Sequence, residues 1–137
     1  MAKKISIPEA LIYAMVMVSA ADGDMPDSEL QRIGRLARFL PVFDGFDEEQ
    51  IIPTSKDIQE ILAGPEGMDI ALEIIRDTLP PRLYDTAYAL AVEVATADLR
   101  LEMEELRFLQ HLRARLDIDK LTAAAIERSA VARFRQA

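Results

Sequence analysis

The chain has 137 residues, half of them hydrophobic, and carries a net charge of −8 without a single cysteine. This length suits one domain with its own core. The negative charge argues against nucleic acid as a partner, because phosphate binding depends on Lys and Arg. The lack of cysteine excludes disulfides, thiolate metal ligands and thiol redox chemistry. No apolar run reaches the roughly 18–20 residues needed to cross a bilayer, so we expect a cytoplasmic protein with no transmembrane segment.

Apolar residues at helical spacing predict an all-α fold with no strand. Proline, glycine and aspartate bound the predicted helices, which are 7–21, 26–40, 48–62, 66–78, 82–97, 102–116 and 120–135. The first is apolar around most of its girth, so we expect it to be central. Pro53 is expected to split or kink the third helix. We therefore predict a single domain over residues 1–137, a bundle of six or seven helices.

The same pattern predicts which side chains pack inside the bundle. Phe39, Phe43 and Phe46 should form a small cluster beneath a loop. Asp47 and Asp119 are expected to be helix N-caps. Apolar stripes at helical spacing predict buried faces on the fourth and sixth helices, through Ile70, Leu72, Ile74 and Ile75 and through Leu106, Leu109, Leu112 and Leu116.

Two acidic bends, each between two predicted helices, resemble one another at an offset of 76 residues (98 − 22). Each bend has an Asp after an alanine-rich helix end, a Glu seven residues later and then a Leu. The identical pairs are Val18 and Val94, Ala21 and Ala97, Asp22 and Asp98, Glu29 and Glu105, and Leu30 and Leu106. We interpret the chain as two pseudo-repeated helical hairpins, about 7–40 and 82–116, with an inserted middle.

The acidic bends admit two interpretations. If the hairpins pack about a pseudo-twofold axis, Asp22, Glu29, Asp98 and Glu105 would converge as oxygen ligands for a divalent cation, calcium or magnesium above all. Asp24, Glu102 and Glu104 would then be auxiliary ligands. Alternatively, the same carboxylates only cap helices, where negative charge meets the positive end of the helix dipole.

The bends also carry a family resemblance. Ala20-Ala21-Asp22-Gly23 with Glu29, echoed by Ala97-Asp98 with Glu105, resembles the tellurite-resistance TerB family, whose fold also occurs as the N-terminal domain of the DjlA co-chaperone. Leu99 departs from the pattern, since the first bend has Gly23 there. The resemblance implies an all-helical cytoplasmic domain that binds a divalent metal through Asp22, Glu29, Asp98 and Glu105. It also implies a place in multi-protein stress or tellurite-resistance systems, some of them membrane-associated.

No residue set predicts catalysis. His111 is the single histidine and is expected to lie on or near the surface of its helix rather than to bind metal. No Ser-His-Asp motif is recognisable, so we expect a protein that is not an enzyme and has no organic cofactor. Protein partners are expected, with peripheral membrane association through a complex, and the sequence is compatible with a homo-oligomer. A metal-free interaction adaptor is the alternative function.

Overall fold

The computed structural model describes residues 4–20, 27–97 and 103–137. These residues form seven α-helices and no strand, which confirms the all-helical bundle. The helices are α1 Ile7–Ser19, α2 Asp27–Phe39, α3 Ile51–Ala63, α4 Gly67–Thr78, α5 Tyr84–Thr96, α6 Met103–Arg115 and α7 Lys120–Arg133. Short 3-10 turns precede α3 and α5 and follow α2, at Glu48–Gln50, Pro81–Leu83 and Pro41–Phe43. Across the described residues, no helix combines the length and apolarity that crossing a membrane requires.

Helix α1 is the centre of the bundle, as its apolar sequence predicts. Every residue from Ala10 to Ser19 is buried, and α2, α3, α4, α5 and α6 all pack against it. A capping box starts the helix. The Glu9 N–H donates to Ser6 Oγ at 3.3 Å, and the Ser6 N–H donates to Glu9 Oε1 at 2.9 Å. The helix thus satisfies its first donors while its body stays in the core.

The third predicted helix is not broken at its proline. The Glu48–Gln50 turn runs directly into α3, and Pro53 lies in the first turn of α3. A proline there costs no intrahelical hydrogen bond, because the first N–H groups of a helix have no partner in the helix. The expected kink at Pro53 is therefore wrong, whereas Asp47 does cap this segment by accepting from the Glu49 N–H at 2.9 Å.

Three predicted core positions are exposed. Phe43 and Phe46 pack with their ring centroids 6.1 Å apart, but Phe39 is 76% exposed and does not join them in the core. On α4, Ile70 is 48% exposed, because the helix buries the face of Leu72 and Ile75 instead. On α6, Leu106 is 37% exposed, while Leu109 and Leu112 are buried as expected.

The C-terminal end of α6 is tied to α4. The chain leaves α6 through Asp117, whose φ is +53°, and the Ile118 N–H donates to the Arg113 carbonyl at 3.1 Å in a Schellman motif. Arg76 of α4 donates to the Arg115 carbonyl and to the Asp117 carboxylate. Arg115 in turn binds Asp69 and Glu73 of α4, both at 3.1 Å. Two arginines therefore anchor this end of α6.

The corner between α3 and α4 depends on a glycine. A Cβ on Gly67 would lie 2.3 Å from the Ile61 carbonyl oxygen and 2.7 Å from the Leu62 Cα, both backbone atoms of α3. We expect Gly67→Ala to lower the free energy of unfolding by about 1–3 kcal/mol, because the α3 backbone must move. Gly34→Ala is the matched control, since its Cβ would meet only Ile51 Cδ1 at 3.9 Å.

Within α2, alanine is a better helix former than glycine, so Gly34→Ala should raise stability by roughly 0.5–1 kcal/mol. Urea unfolding of both variants measures the two effects. A destabilised Gly34→Ala protein, or an unchanged Gly67→Ala protein, would contradict this account of the corner.

Asp119 is the N-cap of α7, as predicted, and we expect the stability it contributes to depend on pH. Hydrogen bonds from the Thr122 hydroxyl and backbone N–H lower the pKa of the Asp119 carboxyl. A lowered folded-state pKa contributes stability above the unfolded-state pKa and loses it as the pH falls through the folded-state pKa. Asp119→Ala should therefore lower the melting temperature at neutral pH, with a deficit that shrinks below about pH 4.

Asp119→Asn is the control, because Asn caps about as well as Asp but does not titrate. Melting curves across acid pH should show an Asn–Ala difference that stays constant while the Asp–Ala difference falls. Parallel behaviour of both pairs would show that the Asp119 charge has no part in the cap.

Candidate functional site

The structure describes part of the predicted cation site. Of the seven acidic residues proposed as ligands, Glu29, Glu104 and Glu105 lie in described helices. Asp22, Asp24, Asp98 and Glu102 lie outside the described residues. Among residues 4–20, 27–97 and 103–137, no three His, Asp or Glu side chains are grouped so as to hold a metal ion. Convergence of the four principal carboxylates therefore stays a prediction.

Glu29 and Glu105 occupy equivalent places in their helices. Each is the third residue, since α2 begins at Asp27 and α6 at Met103. The two helices begin 76 residues apart (103 − 27) and end 76 apart (115 − 39), the offset at which the bends align. The relation between the hairpins as bodies stays a prediction, but these two glutamates share one register.

Glu105 lies within the core-facing side of α6. Its side chain is only 5% exposed. At 3.6 residues per turn it falls about 20° from the fully buried Leu112, whereas Leu106 falls about 120° away. Phe108, three residues after Glu105, is also buried. The buried stripe of α6 therefore passes through Glu105, Phe108 and Leu112, and an acidic residue takes a position that the pattern would give to an apolar one.

Glu29 has a related but shallower position on α2. It is half-buried and lies about 40° around the helix from the fully buried Ile33. Both glutamates have an electrostatic or hydrogen-bonding partner, as carboxylates removed from water require. Two core-facing carboxylates thus enter the bundle at the first turns of α2 and α6, beside the two bends.

The observed helix caps offer a comparison. Asp47 and Asp119, which accept backbone hydrogen bonds as N-caps, are exposed to solvent. Glu104, in the same helical turn as Glu105, is also exposed. A carboxylate needs no burial to interact with a helix dipole, so the burial of Glu105 distinguishes it from the caps in this chain.

Other polar groups are buried on α1 and α2. Ser19, at the end of α1, is 4% exposed, and among the described residues its Oγ has no hydrogen-bond partner. Arg32 Nη1, one turn after Glu29, is likewise buried without a hydrogen-bond partner in the described part of the chain. These two groups belong to the helices on either side of the first bend.

A groove of about 340 Å³ lies beside the start of α6. Its walls come from the ends of α1 and α3, the start of α4 and one face of α6, with Met17, Leu62, Met68, Glu104, Phe108 and His111 among the lining residues. His111 is exposed, as expected. Its place in a groove was not predicted, although the spacing of Glu104, Phe108 and His111 indicates a shared helix face. We call this cleft the α6 groove.

Comparison of the chain with protein-family models, with curated proteins and with solved structures found no match.

The buried position of Glu105 leads to a stability prediction. Glu105→Ala removes a partner from an interaction in the core, and a buried polar group left unsatisfied costs about 1–3 kcal/mol. Glu104→Ala is the matched control, because it removes the same side chain from the same helical turn at an exposed position. We expect the control to change stability by less than about 0.5 kcal/mol.

Chemical denaturation of the two variants at neutral pH measures both costs. Equal losses of stability would mean that helix-dipole and helix-propensity effects, which both positions share, explain the whole cost of Glu105→Ala. The burial of Glu105 would then contribute nothing to stability.

Proposed function

We propose that this chain is a TerB-like helical module that binds a divalent cation at its acidic bends and acts, without enzymatic activity, in a stress or tellurite-resistance protein complex. The cation would be held by Asp22, Glu29, Asp98 and Glu105, with Asp24, Glu102 and Glu104 as auxiliary ligands. Calcium and magnesium are the expected ions, because all seven groups are carboxylates and both ions prefer oxygen ligands.

The observation that supports this proposal is the burial of Glu105 on the core-facing side of α6, with Glu29 in the same register on α2. Ionised carboxylates that lie near each other repel unless a cation or a proton offsets their negative charge. A cation between the bends would draw the first turns of α2 and α6 together, and both helices pack against α1. Binding would then stabilise the bundle as a whole.

Thermal unfolding of metal-stripped protein tests the proposal. A cation present at about a hundred times its dissociation constant adds roughly 2.7 kcal/mol to the folded state, a shift of several degrees in a domain of this size. We expect Ca²⁺ or Mg²⁺ to raise the melting temperature of the wild type. Neither Asp22→Asn combined with Asp98→Asn nor Glu105→Gln should show this rise, whatever their stability without the ion.

Glu60→Gln is the control for Glu105→Gln, because Glu60 is an exposed residue of α3 and its substitution removes the same single negative charge. It should keep the full cation response. If Ca²⁺, Mg²⁺, Mn²⁺ and Zn²⁺ all leave the wild-type midpoint unchanged, the cation site is wrong. An equal response in the Asp22/Asp98 variant and the wild type would place any binding elsewhere.

A metal-free interaction adaptor is the second candidate, and the α6 groove favours it. Methionine side chains adapt to varied partners, and the exposed Met68 lines this groove. On this alternative the acidic residues serve only the fold. Their substitution would then change stability by the same amount with and without a cation.

A further inference from the structure

A second groove, of about 480 Å³, runs between α2 and α7 with α5 as its floor. Leu36 of α2 and Leu40, the residue after α2, form one wall. Ala125 and Ile126 form the α7 wall, and Ala89 and Leu90 lie on the floor. Both wall helices, α2 and α7, pack on α5. The result is an apolar channel open to solvent.

The channel continues along α7. An adjoining hollow shares Ala89, Ala125 and Ile126 with it and extends to Leu121. From Leu121 to Arg133, α7 rises about 18 Å, or roughly three helical turns. We call the combined channel the α2/α7 trough. Its length matches a short helix better than a small molecule.

Two large apolar side chains on the helices that form the walls are exposed. Leu121 is 80% exposed and Phe39 is 76% exposed. Phe39 lies about 60° around α2 beyond Leu36, on the side away from the buried Ile33. Leu121 lines the adjoining hollow, so exposed apolar surface continues along α7, and continuous apolar surface marks an interaction site more often than isolated exposed residues do.

Exposed basic side chains lie on both wall helices of the trough, in an otherwise acidic protein. Arg35 on α2 and Arg128 on α7 are exposed, and neither forms an ion pair with any residue in the described ranges. Glu93 on the floor is neutralised by its ion pair with Arg133, which leaves Asp85 as the acidic group of the adjoining hollow. Residues 120–137 carry four basic side chains and one acidic one, against a net charge of −8 for the whole chain.

We propose that the α2/α7 trough binds an amphipathic helix of a partner protein, with an apolar stripe in the channel and acidic residues beside it facing Arg35 and Arg128. Helices in grooves present apolar anchors at i, i+3 or i+4, and i+7, a spacing that three turns of trough accommodate. A twofold pairing of this face with itself would bring the arginines of two copies together, which disfavours a second copy as the occupant. The trough uses none of the bend carboxylates, so it does not depend on cation binding.

A designed peptide tests the trough directly. The probe is a fluorescently labelled helical peptide of about 18 residues, with leucines at i, i+3, i+4 and i+7 and glutamates flanking that stripe. A second peptide carries lysine in place of each glutamate. Fluorescence anisotropy with the full-length, metal-stripped protein should show saturable binding of the glutamate peptide and weaker binding of the lysine peptide.

Charge reversal supplies the decisive comparison. Arg35→Glu combined with Arg128→Glu should weaken the glutamate peptide by about tenfold and strengthen the lysine peptide, because the rim charges would then complement lysine. Lys56→Glu, on the exposed side of α3, is the control with the same kind of charge change and should alter neither affinity. Leu121→Ala should weaken both peptides, since it removes apolar contact without changing charge.

Melting curves of every variant confirm that it is folded before binding is compared. Absence of saturable binding by the glutamate peptide up to about 1 mM, where little binding energy remains, would overturn the proposal. So would equal weakening of both peptides by the charge reversal. Sedimentation that shows a wild-type dimer, lost in Leu121→Ala, would assign the trough to a second copy instead.

Discussion

The burial of α1 on all sides is the constraint on which the rest of the structure depends. A helix that hides every residue from Ala10 to Ser19 needs neighbours around its whole circumference, and five helices supply them. Two of these neighbours, α2 and α4, present one apolar face and are strongly amphipathic, whereas α5 also packs against α7 and is buried on several sides. The hydrophobic effect thus determines the arrangement through one element, and the remaining helices differ in what their outer faces carry.

A carboxylate enters this apolar interior at the first turn of α6, and a half-buried one lies at the first turn of α2. Burying a carboxylate costs free energy unless a partner compensates it, so Glu105 is a position where the chain gives up hydrophobic stabilisation. A charged residue at a core position conflicts with the hydrophobic pattern of the helix. Sequences depart from such patterns mainly at functional or strained positions. The proposed cation site and the α2/α7 trough therefore have different physical origins. One uses charge placed inside the bundle, and the other uses apolar surface left outside it.

Much of the fold could be predicted from the sequence, because helical periodicity and helix-end residues are local signals. Central α1 and the caps at Asp47 and Asp119 needed no tertiary information. The misplaced side chains needed it. Phe39 and Ile70 are apolar residues whose helices turn another face to the core. Whether Pro53 interrupts a helix depends on where that helix begins, which the sequence did not show. Glu105 was predicted as a candidate ligand from the repeat, but its burial was not predicted. The leucine spacing suggested a buried face through Leu106, whereas the helix buries the face of Glu105, Phe108 and Leu112.

Two arginines fix the C-terminal end of α6 to α4. Arg76 and Arg115 fix its C-terminal turn to α4, whereas its first turn carries Glu105 about 15 Å away along the axis. Between these two ends, Phe108, Leu109 and Leu112 are buried, so α6 is held in the core along its length as well as at its C-terminal turn. Glu104 and Phe108 line the α6 groove, and one wall of that groove is therefore a helix fixed to α4 by ion pairs.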